Sequence, residues 1–214
     1  MKNQPNISIV DYGVGNLHSV VKAFRRFTGN VIISEEPEII RSSDAIILPG
    51  VGSFASGMKG LLVRGLQDVI REFAESGKPV LGICLGAQLF FRKGFEFGEY
   101  DGLGILDGSV VFFSGLEGKT KIPHIGWNTI YHPHAAAWDG TILDGLKEKS
   151  YAYFVHSYIM EPSDQEHILA SSLYGGREFV AVVKKGNVYG CQFHPEKSGE
   201  VGLRIINNFI NSIS

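Results

Sequence analysis

The sequence contains only two cysteines, Cys84 and Cys191, and they lie far apart along its 214 residues. They form no CxxC pair, so neither a disulfide framework nor a zinc site is indicated. The sequence offers no other cluster of metal ligands, and we expect the protein to work without a metal ion. At least one of the two thiols is therefore free for another role.

Long apolar segments and blocks of like charge are also missing. The 20 basic and 22 acidic side chains give a net charge of −2, which predicts no basic surface for nucleic acid or an acidic membrane. The apolar run from Ile7 to Val10 is too short for a signal peptide core or a membrane span. We therefore expect a cytosolic protein, folded as one domain over residues 1–214.

The first half of the chain repeats a short apolar run, a glycine-rich turn and a helix-like stretch. This order is typical of βα units around a parallel sheet. The apolar spacing from Met58 to Ser76 predicts one helix, and Ser198 to Ile213 predicts a last helix opened by a capping serine. The predicted strands of this half are Ile7–Val10, Val31–Ile33, Ala45–Leu48 and Pro79–Ile83.

Shorter β-like runs dominate after about residue 105, and Gly94 to Gly104 is predicted to be an exposed loop whose deletion the core tolerates. We therefore predict an α/β fold with a central, mostly parallel sheet, flanking helices, and antiparallel strands in the C-terminal half. The strand-like runs of this half are Gly108–Phe113, Tyr151–Ile159, and the hairpin pair Phe179–Lys184 and Val188–Phe193.

Cys84 lies between two glycines, in the segment Gly82-Ile83-Cys84-Leu85-Gly86. The segment follows a predicted strand and precedes a helix-like stretch, Ala87–Phe91, which is the context of a nucleophile elbow with cysteine in place of serine. Small neighbours fit a sharp turn, and the N–H groups that open a helix favour a thiolate. Cys84 is the predicted nucleophile; a buried cysteine without a chemical role is the alternative.

A cysteine nucleophile needs a base, and His194 follows the last predicted strand in the segment His194-Pro195-Glu196. An extended backbone would place His194 and Glu196 on the same side, where the carboxylate can orient the imidazole. A surface turn without a catalytic role is the alternative. Among the other histidines, His18 is predicted on the first helix, His156 in a strand, and His124, His132, His134 and His167 in loops or at the surface.

Acyl transfer also needs donors for an oxyanion. The turn Pro49-Gly50-Val51-Gly52 directly follows a predicted strand, so its N–H groups can point at a reacting carbonyl. A dinucleotide fingerprint over residues 50–55 is a weak alternative, because it does not lie on the first βα turn and lacks the acid after the next strand. The predicted oxyanion donors are Gly50, Val51, Gly52 and Leu85.

In its PGVG turn, GICLGAQ elbow and QFHPE segment, taken in that order, the sequence resembles the class I, triad-type glutamine amidotransferases. It is similar in particular to the glutaminase subunits of imidazole glycerol phosphate synthases. That narrower resemblance spans nearly the whole chain. It is carried by the segments Asp11–Asn16, Ile122–Asn128, Tyr153–Tyr158 and His194–Ser198.

The resemblance implies that Cys84 attacks the side-chain amide of L-glutamine, that His194 delivers a proton to the departing ammonia, and that water releases glutamate. No cofactor is implied. The glutamine would be held by Gln88 and by the backbone near Gly52, Ser157 and Tyr158, although Gln88 alone could be a polar helix residue. Ala87 departs from the methionine that the family usually carries, at a position expected beside the glutamine pocket.

The resemblance also implies a partner, a (β/α)₈-barrel cyclase that uses the ammonia to make imidazole glycerol phosphate and an aminoimidazole carboxamide ribotide. It further implies weak activity without that partner and activation by a peptide flip at Gly50-Val51. For Trp127 a core position is the alternative. The residues that match partner-facing positions are Asn16, Trp127, Tyr153 and Lys197.

Three other functions stay open on the sequence. A paralogous subunit would carry the same glutaminase residues and feed a different synthase, for example one that aminates a surface sugar. A stand-alone γ-glutamyl hydrolase or peptidase would use the same triad, although the sequence shows no extra domain and has the Trp127 motif. A catalytically silent binding subunit would not need Cys84, His194 and Glu196.

Overall fold

The computed structural model describes residues 4–133 and 138–213, so His134 lies outside the described residues. The helices are α1 (Leu17–Phe24), α2 (Pro37–Ser42), α3 (Phe54–Val63), α4 (Leu66–Glu75), α5 (Leu85–Gln88) and α6 (Gly199–Asn211). The strands are β1 (Ile7–Val10), β2 (Val31–Ser34), β3 (Ala45–Gly50), β4 (Val80–Cys84), β5 (Phe91–Gly94), β6 (Tyr100–Asp101), β7 (Leu106–Phe112), β8 (His124–Ile130), β9 (Ser150–His156), β10 (Tyr158–Pro162), β11 (Ile168–Tyr174), β12 (Arg177–Lys185) and β13 (Val188–Cys191).

The main sheet has the strand order β11-β12-β13-β4-β3-β1-β2. Strands β13, β4, β3, β1 and β2 run parallel, whereas β11 and β12 are antiparallel additions at one edge. Every residue of β1, β3 and β4 is buried, as expected for parallel strands covered on both faces. The predicted α/β fold is confirmed.

Helices cover both faces of this sheet. On one face α1 and α6 pack together, with the rings of Phe24 and Phe209 edge to face at 6.4 Å. On the other face α3 and α4 bury Leu61, Val69 and Phe73. Within residues 4–133 and 138–213, no helix has the length and apolar character needed to span a membrane.

Two smaller β structures accompany the main sheet. One is a four-stranded sheet of order β10-β7-β5-β6, and the other is an antiparallel ribbon of β8 and β9. The predicted run Tyr151–Ile159 is therefore wrong as a single strand. It breaks at Ser157, because β9 pairs with β8 in the ribbon while β10 pairs with β7 in the other sheet.

The predicted helix from Met58 to Ser76 is also wrong, because the structure has two helices there. Gly65 adopts a left-handed conformation with φ of 64°, which ends the run of α3 and opens α4. The change of direction leaves the side chain of Leu62 on the surface, 64% exposed.

Two further local predictions are corrected by packing. The helix predicted for Ala87–Phe91 is only the four residues of α5, since Phe91 already begins β5. The segment predicted as a dispensable loop contains β6, which pairs with β5, and Leu103, which is 2% exposed. Its removal would open the core beneath it.

The last helix forms close to the predicted place, but Ser198 does not cap it. The Ser198 hydroxyl donates to the His194 carbonyl at 2.7 Å and accepts from the Tyr153 N–H at 3.0 Å. This serine therefore ties the segment after β13 to the ribbon strand β9.

Candidate active site

Cys84 is the last residue of β4 and adopts a φ of 53° and a ψ of −111°. A positive φ at a residue other than glycine is strained, by roughly 1–3 kcal/mol, and persists only where the surrounding structure enforces it. An added Cβ at Gly86 would collide with the Leu48 carbonyl, and one at Gly82 would lie 2.5 Å from the Phe90 ring. Both glycines therefore let β3, β4 and α5 pack closely enough to hold the turn.

The Cys84 side chain is 7% exposed and lies at a cavity. Its Sγ is 3.6 Å from the Val155 carbonyl oxygen, and the buried Gln192 amide donates to it from 3.9 Å. Cys191, by contrast, is fully buried, and burial raises the pKa of its thiol. Of the two thiols, only that of Cys84 can meet a ligand in the cavity.

His194 and Glu196 are joined by a hydrogen bond of 2.9 Å between Nδ1 and Oε1. Both side chains are buried, at 4% and 3% exposure. The sequence argument placed them on one side of an extended segment, but Glu196 lies in a short 3₁₀ turn, Pro195–Lys197, that begins after His194. The turn, and not strand alternation, brings the carboxylate back to the imidazole.

The charges around His194 favour its protonated form. Burial lowers the pKa of this imidazole, but hydrogen bonds to Cys84 and Glu196 and the charges of both groups outweigh burial and raise it to about 9. His194 shares the cavity with the Cys84 thiol and is bonded through Nδ1 to the Glu196 carboxylate. This is the order that a nucleophile, a base and an orienting acid require.

The cavity beside this triad has a volume of about 310 Å³, within the range of small-molecule sites. All four residues predicted to hold glutamine line it, as do Val51 and Leu85. Gly50 lies behind it, in a small adjoining cavity shared with His194. The lining residues are Val51, Gly52, Cys84, Leu85, Gln88, Glu96, Pro123, Val155, His156, Ser157, Tyr158, His194 and Lys197.

The PGVG turn lies against the start of α5. The buried Tyr12 hydroxyl donates to the Pro49 carbonyl at 2.5 Å, which fixes the peptide before Gly50. A side chain at Gly50 would collide with that hydroxyl, and Gly52 adopts a φ of 113° that favours glycine. The turn is thus held beside Leu85, the first residue after the nucleophile.

Gln88 is 5% exposed, so it is not a surface helix residue. Its Nε2 donates to the Tyr158 carbonyl and to the Gln192 Oε1, both at 3.1 Å. These bonds connect α5, β10 and the segment after β13 along one wall of the cavity.

Glu96 is a cavity residue that the sequence argument missed. One of its oxygens accepts from the Phe54 N–H at 2.7 Å, which ties the carboxylate to the start of α3. The signal was absent because Glu96 falls in a segment without periodicity, and its partner is 42 residues away.

Comparison with known proteins agrees with this geometry. The family described as glutamine amidotransferase class-I matches residues 8–213. The chain belongs to the class-I glutamine amidotransferase family. This amidotransferase also matches a structure described as PurLQS from Thermotoga maritima, with a TM-score of 0.71, 20% identity, and coverage of 99% of this chain and 100% of the other, a likeness of fold.

Two curated relatives carry the name imidazole glycerol phosphate synthase subunit HisH. The HisH 1 protein of Legionella pneumophila is 50% identical over 209 residues, covering 96% of the amidotransferase and 98% of the relative. The protein of Oceanobacillus iheyensis is 43% identical over 203 residues, covering 95% and 97%. The narrower resemblance predicted from the sequence is confirmed.

The four residues predicted to face a partner lie near His194. Asn16 and Lys197 line the small cavity behind the PGVG turn. The Tyr153 carbonyl accepts from the His194 N–H at 2.9 Å, and the Tyr153 ring meets Trp127 edge to face at 5.8 Å. Trp127 is 55% exposed, so a core position is excluded.

Ala87 does not lie where the sequence argument expected it. It is fully buried and packs against Gly82 and Gly190 of the neighbouring strands, outside the cavity lining. An added Cβ at Gly190 would lie 3.0 Å from the Ala87 Cβ. Alanine in place of methionine at this position therefore affects the packing of α5 against β4 and β13.

Replacement of Glu196 by glutamine should lower the pKa of His194 from about 9 toward its ordinary value of 6.5, because one of the two charges that stabilise the imidazolium is lost. The proton would then leave His194 at a lower pH. NMR titration of the His194 ring measures this change. Glu200→Gln, the same charge change at the exposed start of α6, is the control; an unchanged titration in Glu196→Gln would contradict the assigned pairing.

Proposed function

We propose that this amidotransferase hydrolyses L-glutamine to glutamate and ammonia through a thioester on Cys84, as the glutaminase subunit of an imidazole glycerol phosphate synthase. The observation that supports this most directly is that Cys84 and His194 line one cavity of about 310 Å³ and that His194 is bonded to Glu196. The name shared by the curated relatives supports the pathway, histidine biosynthesis.

The first half of the reaction breaks the amide. The proton that leaves the thiol is held by His194, and the thiolate adds to the side-chain carbonyl of glutamine to give a tetrahedral oxyanion. The imidazolium then donates the proton to the departing nitrogen, which leaves as ammonia while the carbonyl of the thioester reforms. Glu196 keeps Nδ1 engaged, so Nε2 faces the reacting atoms throughout.

Water completes the cycle. His194 removes a proton from water, the resulting hydroxide adds to the thioester carbonyl, and the thiolate of Cys84 leaves and recovers its proton from the imidazolium. In both halves the oxyanion is stabilised by the N–H of Leu85 and by N–H groups of the turn from Gly50 to Gly52. Rotation of the Gly50-Val51 peptide would control when that turn contributes its donor.

Glutamine is held by groups on the remaining walls of the cavity. Gln88, Ser157 and Tyr158 bind the backbone portion of the amino acid, with Gly52 on the opposite side. We assign Glu96 to the α-ammonium group, because it supplies an anchored carboxylate to the lining away from the triad. A free amino acid, unlike a peptide, offers such a charge.

The partner is a (β/α)₈-barrel cyclase that consumes the ammonia, and we propose that it binds the outer face of the β8–β9 ribbon beside Asn16 and Lys197. That face carries the exposed side chains of Ile125, Trp127 and Tyr151. Exposed aromatic residues of this kind are typical interface anchors.

We further propose that residues 1–214 form one glutaminase domain that acts in the cytosol.

Purified chain mixed with a histidine-pathway cyclase and its nucleotide ligand should release glutamate from glutamine, and Cys84→Ala should reduce the rate about 10⁴-fold or more because the nucleophile is lost. Coupled glutamate detection measures this. Cys191→Ala is the matched control and should remain active. Activity that does not depend on the cyclase would assign the chain to another synthase. Activity in Cys84→Ala would contradict the mechanism.

Glu96→Gln should raise KM for glutamine by about 10- to 100-fold, the range that loss of one charge-assisted hydrogen bond predicts, with kcat little changed. Steady-state kinetics separate the two constants. Glu99→Gln removes the same charge in the same segment outside the cavity lining, and it should leave KM unaltered. A normal KM in Glu96→Gln would exclude the ammonium assignment.

Trp127→Ala should weaken cyclase binding by about 30-fold, a typical cost for removing an aromatic anchor. Calorimetric titration gives the dissociation constant. The control is Ile39→Ala, which removes an apolar side chain that is 40% exposed. Ile39 lies on α2, the helix that precedes the opposite end of β3. Equal affinities for Trp127→Ala and the unaltered chain would place the interface elsewhere.

A further inference from the structure

Two histidines that the reaction scheme does not use lie in contact at the wall of the glutamine cavity, which His156 lines. His124 of β8 and His156 of β9 are directly opposite in the ribbon, with 3.1 Å between His124 Nδ1 and His156 Nε2. They are 2% and 6% exposed. The sequence argument placed His124 at the surface, and this is wrong because its ring faces the inner side of the ribbon.

The acceptor at one end fixes the proton positions along the pair. The Tyr158 carbonyl only accepts, so His156 carries its proton on Nδ1 and donates it over 2.9 Å. His156 Nε2 is then an acceptor for the His124 Nδ1–H. The remaining nitrogen, His124 Nε2, accepts from the Asn128 amide at 3.4 Å, so both rings are satisfied while neutral.

Packing locks these rings in place. His124 stacks on Tyr174 at 3.9 Å and on Phe154 at 5.0 Å, and His156 stacks on Phe113 at 5.6 Å. Burial in this aromatic cluster lowers the pKa of His124 to about 4 and that of His156 to about 3. The pair therefore stays neutral near pH 7, and its hydrogen bonds keep one direction.

The Tyr158 carbonyl is a branching point in the cavity wall. It also accepts from Gln88 Nε2 at 3.1 Å, and Gln88 is bonded to Gln192, whose amide approaches Cys84 Sγ. The far end of the series lies on β8, where Trp127 faces outward between inward-facing neighbours. A continuous path of hydrogen bonds thus runs from the inner side of the ribbon to the glutamine-binding backbone.

We propose that Asn128, His124, His156 and the Tyr158 carbonyl form a relay that holds the Ser157–Tyr158 backbone in its glutamine-binding position. His124 lies outside the cavity lining, so it acts as a positioning residue through His156. The inference rests on the proposed glutaminase function. It assigns to the inner face of the ribbon a part in glutamine affinity that the outer, partner-facing side chains do not have.

Two reagents separate pocket shape from thiol reactivity in the full chain. A diazoketone analogue of L-glutamine must occupy the cavity before it alkylates Cys84, whereas iodoacetamide needs only the thiolate. His124→Phe keeps an aromatic ring but removes the donor to His156, and His124→Leu removes both. His124→Asn restores an N–H near the position of Nδ1. Tyr174→Phe alters the same aromatic cluster without touching the relay.

His124→Phe and His124→Leu should each raise the half-saturating analogue concentration about 10-fold, the effect of one lost hydrogen bond of ordinary strength. Iodoacetamide rates should not change. His124→Asn should stay within about threefold of the unaltered chain, and Tyr174→Phe should match it. The half-saturating concentration does not depend on the amount of folded chain, so a partly unfolded variant does not mimic the effect.

Normal half-saturation in the phenylalanine and leucine variants would overturn the relay. So would equal impairment of His124→Asn, or an equal slowing of both reagents, which a purely structural role predicts. The proposed function fails in a different way: the unaltered chain would then react with iodoacetamide at Cys84 and not with the glutamine analogue.

Discussion

The positive φ at Cys84 is enforced by close packing on both sides of this residue. Gly86 lies against the Leu48 carbonyl of β3, and Gly82 lies against the Phe90 ring, so neither position has room for a side chain. With φ held at 53°, the chain turns from β4 into α5 and leaves the thiol at the cavity. Strain of this kind persists only where the surrounding structure enforces it. Here it sets the direction of the Cys84 Sγ.

Three adjacent parallel strands bring the other reacting groups to the same edge. β3 leads into the PGVG turn, β4 ends in Cys84, and β13 leads into His194. The carboxyl ends of parallel strands meet there, which is the usual location of sites in open α/β sheets. The ribbon strand β9 then closes the arrangement, since its Tyr153 carbonyl holds the His194 backbone.

Local patterns were sufficient to predict the buried strands and the elbow. The pairing of His194 with Glu196 was predicted from strand alternation, but a 3₁₀ turn produces it. Local patterns failed where the backbone conformation of one residue or a long-range contact decides the structure. Gly65 broke a continuous helical spacing through its own backbone conformation, and Ser157 divided one apolar run between two sheets. Glu96 and His124 carry no periodic signal, because the groups that fix them come from α3 and β9.

The central claim is that the strained Cys84 forms a glutamyl thioester. Acid quenching of the chain during turnover of glutamine, followed by mass spectrometry of its peptides, tests this directly. The account predicts one glutamyl group, released by hydroxylamine, on the peptide that contains Cys84, and none on the peptide that contains the buried Cys191. Turnover with no adduct at Cys84, or with an adduct at Cys191, would contradict it.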